Sequence, residues 1–166
     1  MIFTDTYSWR IQWSRSYAIS EVFDIKTNQW SYIPQTISAK SGVSLVAFDN
    51  TLYVLGIFNG YVRLTSGEKY IPGVSPWWTE ISEMMTPKSN FATAILDDYI
   101  YVIENFNDNF VSGSSTINFV EYYYPEINDW FDVSLMNLNR SALTACVISG
   151  LPNSKKYSKL GRSQQE

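Results

Sequence analysis

The chain has 166 residues, 45% hydrophobic and 17% charged, with a net charge of −4 and a single cysteine. That length carries one modest core; the charge and the absence of a basic stripe argue against a nucleic-acid partner; one thiol excludes an internal disulfide and suits a reducing compartment. Aromatic residues reach 16%, with 12 Tyr and 6 Trp, a composition that favours pleated, half-buried surfaces.

Residues 1–19 show no clear repeat, though "YSWRIQW" reads as a decayed strand. The first twenty residues lack the apolar core of a signal peptide. No apolar run approaches the ~18 residues of a membrane helix. The expected setting is therefore soluble and intracellular. Strands are then predicted at "SEVFD" and "WSYI", at "VSLVAF" (43–48) and "TLYVLG" (51–56), and at "GEKYI" and "WTEI". A second series follows at "FATAIL" (91–96), "YIYVIE" (99–104), "FVEYY" and "WFDV". Asp49-Asn50 and Asp97-Asp98 separate paired strands as two-residue hairpin turns. No long segment has helical periodicity.

The same phrases recur at a fixed spacing. Trp30, Trp78 and Trp130 lie 48 and 52 residues apart. Ten residues after each stand Lys40, Lys88 and Arg140, each followed by a serine: Ser41, Ser89 and Ser141. Phe23, Tyr70 and Tyr123 precede the tryptophans, and Glu21, Glu68 and Glu121 lie two residues before those rings. A period near 50 with aromatic anchors fits a four-stranded propeller blade. The strands "TLYVLG" and "YIYVIE" are apolar on both faces, so each needs cover from both sides. First strands carry small residues, Ser44 and Ala47, Ala92 and Ala94, Ala142 and Ala145, as strands converging on a central axis require. A β-sandwich is the alternative, but it gives no reason for the period. The expected fold is all-β: a partial propeller of four-stranded antiparallel blades, about two to three of them, with the ring incomplete.

These residues resemble the kelch family, and kelch-like proteins in particular. "AKSGVSLVAFDNTLYVLGIFNG" and "TPKSNFATAILDDYIYVIENFND" follow the family order, and "FVEYYYPEINDW" matches its later half. The ending "NRSALTACVISGLPN" (139–153) is similar to the C-terminus of kelch-like proteins, where the last strand closes the ring. The resemblance covers about residues 20 to 153, leaving 154–166 as a polar tail read as disordered. Two glycines normally follow the Tyr strand; Gly56 is kept, but Ile57, Glu104 and Asn105 replace the others. That blade is expected either to bend differently or to be strained. The BTB and BACK domains that precede such propellers are not in this sequence.

Enzyme chemistry has little to work with. The chain has no histidine, hence no Ser-His or Cys-His pair and no usual metal ligand set. Asp49, Asp97, Asp98, Glu104 and Asp108 read as solvated turn residues, and Cys146 as a buried small hydrophobe. The "NRS" triplet at Asn139 fits a glycosylation site but would stay bare in the cytoplasm. No catalytic, cofactor-binding or metal-binding residue is expected.

The kelch resemblance implies a partner basin formed by loops at the channel mouth. The matching positions are Lys40, Ser41, Lys88, Ser89, Arg140 and Ser141, with Phe58, Asn59, Phe106 and Asn107 in the other loops. Cations and hydroxyls there suit an acidic peptide; the competing reading is that Lys/Arg-Ser only starts a strand. Trp30, Trp78, Trp130, Tyr53 and Tyr101 are expected in the core. The resemblance further implies substrate recognition for a cullin-type ubiquitin ligase, with the cullin bound only through a BTB domain. Actin binding is a second implied role, and a fragment without independent function a third. Open blade faces are expected to promote self-association.

Overall fold

The computed structural model describes residues 7–14, 17–39, 41–59, 61–109, 113–138 and 144–148. Their elements are eleven strands in three antiparallel sheets. The first sheet holds β1 (Tyr7–Ser14), β2 (Tyr17–Asp24) and β3 (Gln29–Ile33). The second holds β4 (Ser44–Phe48), β5 (Thr51–Phe58), β6 (Arg63–Tyr70) and β7 (Thr79–Glu80). The third holds β8 (Ala92–Leu96), β9 (Tyr99–Asn109), β10 (Gly113–Tyr124) and β11 (Asp129–Asp132). Each is an up-and-down meander, and together they form consecutive blades of a partial β-propeller. "YSWRIQW" is a strand: β1 pairs with β2 along its whole length.

Local chemistry sets the turns. Asp49 and Asn50 both take positive φ (45° and 57°) between β4 and β5, the backbone a two-residue hairpin needs and one that Asp and Asn tolerate. Asn28 and Asn128, each two residues before its Trp, sit at φ 57° and 54°. Asp24 Oδ1 accepts the N–H groups of Lys26 and Thr27, at 2.8 and 3.3 Å, closing the β2–β3 turn.

β5 is covered on both faces, as its apolar pattern requires. Leu52 and Val54 point to the first sheet and pack with Tyr70, Trp78, Ile33 and Leu45. Tyr53 and Leu55 point to the third and pack with Ile100, Val102, Tyr123 and Trp130. The innermost strands β4 and β8 meet through Ser44 Oγ and Thr93 Oγ1, 2.7 Å apart; small side chains allow that approach.

The tryptophan motif repeats as a contact as well as a letter. Phe23–Trp30, Tyr70–Trp78 and Tyr123–Trp130 have ring centroids 5.1, 5.3 and 5.2 Å apart. Trp78 Nε1 donates to Pro34 O (2.8 Å) and Trp130 Nε1 to Ser82 O (2.9 Å). Each acceptor lies four residues after the preceding blade's Trp. These bonds clamp neighbouring blades and satisfy an indole N–H inside the core. Trp78 and Trp130 are 3% and 4% exposed, but Trp30 is 50% exposed. Trp30 is therefore not core: it keeps its Phe23 contact, yet the described residues contain no sheet before the first to cover it. Tyr101, on the outer face of the third sheet, is only partly buried for the corresponding reason.

The third blade keeps the second blade's bulge but has a longer central hairpin. β5 turns at Gly56 (φ 69°), where its register with β6 shifts between Leu55 and Ile57. In the third blade the register shifts at the equivalent place, from Ile103↔Val120 to Asn105↔Ile117, and β9 then runs on to Asn109.

Thr144–Ile148 form no strand, and Cys146 is exposed rather than buried. The apolar pattern around it misled because no sheet edge among the described residues receives this segment. Native Cys146 should accordingly react with an aromatic disulfide reagent at close to the rate of the unfolded chain, whereas a burst-free reaction slowed at least ~100-fold would place it inside the fold. No helix among the described residues is long and apolar enough to cross a membrane.

Candidate partner-binding site

The loop ends of the second blade gather part of the expected basin. Ser41 and Phe58 exchange backbone hydrogen bonds at 3.2 and 3.0 Å, and Ser41 Oγ also donates to Phe58 O at 3.1 Å. The chain then turns at Asn59, whose Oδ1 accepts the N–H groups of Tyr61 (3.0 Å) and Val62 (2.9 Å). That turn returns the strand at Arg63. Its Nε donates to Ser89 Oγ at 2.8 Å, and its Cζ lies 5.7 Å from the Phe58 ring centroid. Ser41, Phe58 and Arg63 are partly exposed and Asn59 is exposed, while Ser89 is buried beneath them.

Arg63 was not legible as a site residue from the Lys/Arg-Ser column. The available signal was a cation on the return arm of a short loop opposite an aromatic, in "FNGYVR". Hairpin pairing places Arg63 directly across from Phe58. The arrangement is a cation held over an aromatic face and tied to a hydroxyl, a geometry worth roughly 0.5–1 kcal/mol at an exposed site. A guanidinium so fixed loses little further entropy when it grips a carboxylate.

Lys88 is elsewhere. It is 1% exposed, and its Nζ lies 2.5 Å from Glu121 Oε1, in the next blade. Burial pushes its pKa below the ordinary lysine value, against the pull of the Glu121 carboxylate. The same carboxylate accepts Thr86 Oγ1 (3.1 Å) and the Met85 N–H (3.3 Å). Lys88 is thus an inter-blade latch and offers no ammonium to a partner. One blade earlier, Glu68 Oε2 accepts the Ile37 N–H at 2.9 Å; Ile37 and Met85 each stand seven residues after their Trp. Lys40, Arg140 and Ser141 lie outside the described residues. The backbone of Phe106 and Asn107 belongs to β9, paired with Thr116 and Ser115; these two are strand residues and not loop tips, because the β9–β10 hairpin continues to Asn109 and Gly113, and their side chains lie outside the description.

No family model matches the chain. Human Kelch-like protein 23 is 29% identical over 135 residues, which span 81% of this chain and 23% of that protein. Kelch repeat protein C2 of Cowpox virus (strain GRI-90 / Grishak) is 31% identical over 87 residues, 52% of this chain and 17% of the relative. The chain thus spans less than a quarter of the curated relatives' length. Among solved structures, YjhT, a kelch propeller, matches with a TM-score of 0.61 at 20% identity, over 71% of this chain and 34% of YjhT. That likeness speaks for the fold alone. The repeated Trp clamp, the blade order and these sequence likenesses support a place for the chain among the kelch-repeat proteins.

Proposed function

We propose that the chain is a non-catalytic, cytoplasmic protein-binding module of the kelch type, which receives an acidic segment of a partner protein at the loop ends of its second blade. The observation that carries this is the cluster of Ser41, Phe58, Asn59, Arg63 and Ser89, in which hydrogen bonds hold a guanidinium against an aromatic ring at a partly exposed loop end. Arg63 takes the place of Lys88 as the anchor of this blade, since Lys88 is committed to Glu121. A carboxylate would pair with the guanidinium charge and an apolar side chain would rest on Phe58. A sequence without histidine supplies no Ser-His or Cys-His pair. By the kelch-like resemblance, the proposed role is substrate recognition in a cullin ubiquitin ligase, with a BTB domain supplying the cullin contact.

Crosslinking of the tagged chain in cells, compared with Arg63→Glu, tests the site. The expected result is a partner retained by the wild type and reduced at least about tenfold by the reversal, the scale of losing a charge-assisted pair. Equal recovery would remove Arg63 from the site. Recovery of cullin with the partner supports the ligase role; co-sedimentation with actin filaments, lost in Arg63→Glu, would favour the actin-binding reading instead.

A further inference from the structure

The third blade differs from the second in charge and in its outer face. From Ser89 to Asn139 the sequence holds eight carboxylates (Asp97, Asp98, Glu104, Asp108, Glu121, Glu126, Asp129, Asp132) and neither Lys nor Arg. One strand face, turned away from the second blade, is a continuous aromatic cluster. Tyr122 pairs across strands with Tyr101 and Phe131. Its ring lies 4.9 Å from Tyr99, 5.6 Å from Tyr101 and 5.2 Å from Phe131, stacked on the last at 19°. Tyr124 extends the row, 5.0 Å from Tyr99. All five rings are partly exposed.

The blade repeat does not account for these rings. At the positions of Tyr99, Tyr122, Tyr124 and Phe131 the second blade has Thr51, Lys69, Ile71 and Thr79. With the third blade docked against it, Thr51 is buried, Lys69 and Ile71 stay partly exposed and Thr79 is exposed. A further blade set on the third in the same way would leave the Tyr122, Tyr124 and Phe131 positions within reach of solvent. Carboxylates rim the cluster: Asp97 and Asp98 are exposed at the β8–β9 turn, Asp129 is exposed opposite Tyr124, and Glu126 accepts a hydrogen bond from the Tyr124 hydroxyl. That bond is the main reason the Tyr124 pKa is raised to about 12, so the phenol stays neutral and the acid stays beside the rings.

We infer that the Tyr122, Tyr124 and Phe131 face of the third blade docks an extended, arginine- or lysine-bearing segment of a partner protein. Aromatic faces attract cations through the ring quadrupole, and the effect adds to charge attraction when the surroundings are uniformly acidic. An acidic or purely apolar segment would meet like charge or leave the rim unpaired. This surface is separate from the Arg63 cluster and takes a partner of opposite sign.

The test is fluorescence anisotropy of a labelled octapeptide alternating arginine and glycine, titrated with the full chain at low and at physiological salt. Saturable binding that weakens with salt is expected. Tyr122→Ser with Tyr124→Ser should weaken it about tenfold, from the loss of two cation–aromatic contacts. Asp98→Asn with Glu126→Gln, at exposed positions that leave the ring stack in place, should weaken it about fivefold and flatten the salt dependence. Circular dichroism identical to wild type establishes that each variant is folded. No binding at low salt, equal affinity for both variant pairs, or equal binding of a glutamate–glycine peptide would overturn the inference. Binding that appears only after removal of residues 154–166 would also overturn it, by making Lys155, Lys156, Lys159 and Arg162 of the chain itself the occupant.

Discussion

Lys88→Met should lower the free energy of unfolding by about 3 kcal/mol, read as a fall in the urea midpoint at unchanged slope. The reason is what remains. Glu121 is 1% exposed and would be left in the core without its cation, with only the Met85 N–H and the Thr86 hydroxyl to hold it. The buried pair itself contributes little net stability, because removing two ions from water costs several kcal/mol that their attraction only repays. Glu121→Gln alone leaves the Lys88 ammonium buried against a neutral amide and should cost a similar amount. The double variant, Lys88→Met with Glu121→Gln, carries no buried charge and keeps a carbonyl oxygen for the Met85 N–H. It should therefore be more stable than the sum of the single losses by about 1–3 kcal/mol. Strict additivity would mean that the two groups do not act as a pair. The latch joins one blade to the next, so Lys88→Met should also raise the proteolysis of the segment between β7 and β8 before global unfolding begins.

The two halves of this latch were both visible in the sequence, in separate columns. Lys40, Lys88 and Arg140 align at one offset from the tryptophans, and Glu21, Glu68 and Glu121 at another. That Lys88 meets Glu121, 33 residues on and in the following blade, depends on which edge of one sheet faces the next, and spacing along the chain does not encode it. The same limit applies to Trp130 and its acceptor Ser82, 48 residues earlier. What the sequence does encode is local: two-sided apolar strands such as Leu52–Leu55, turn residues such as Asp49 and Asn50, and small residues where β4 and β8 converge. Trp30 and Cys146 show the converse. Their apolar character was read as burial, yet burial depends on what the fold brings over a side chain, and both Trp30 and Cys146 are exposed. Arg63 escaped because its value comes from being opposite Phe58 in a hairpin register. Phe106 and Asn107 were placed in a loop by alignment to a glycine-bearing repeat that their own blade has lost.

Gly56→Ala is expected to destabilise the chain by about 3 kcal/mol or more. Two independent terms set this size. The backbone there sits at φ 69°, which costs an L-residue about 1–2 kcal/mol. A Cβ at Gly56 would also lie 2.2 Å from Phe91 Cε1 and 2.5 Å from Cζ, with the Lys88 carbonyl oxygen 3.1 Å away. Phe91 is 8% exposed and belongs to the core shared by the second and third blades, so it cannot swing clear without opening that core, an overpacking cost of about 1–3 kcal/mol. The equivalent position in the third blade is Glu104, three residues after Tyr101 as Gly56 is after Tyr53. There the β9/β10 ladder skips Glu104 as the β5/β6 ladder skips Gly56, and Glu104→Gly should cost about 0.5–1 kcal/mol for the added freedom of the unfolded chain. Equilibrium unfolding of both variants decides the matter: a Glu104→Gly chain more stable than wild type would mean that the third blade is strained for want of its glycine, while a Gly56→Ala loss below about 1 kcal/mol would mean that the bend in β5 does not need a left-handed residue.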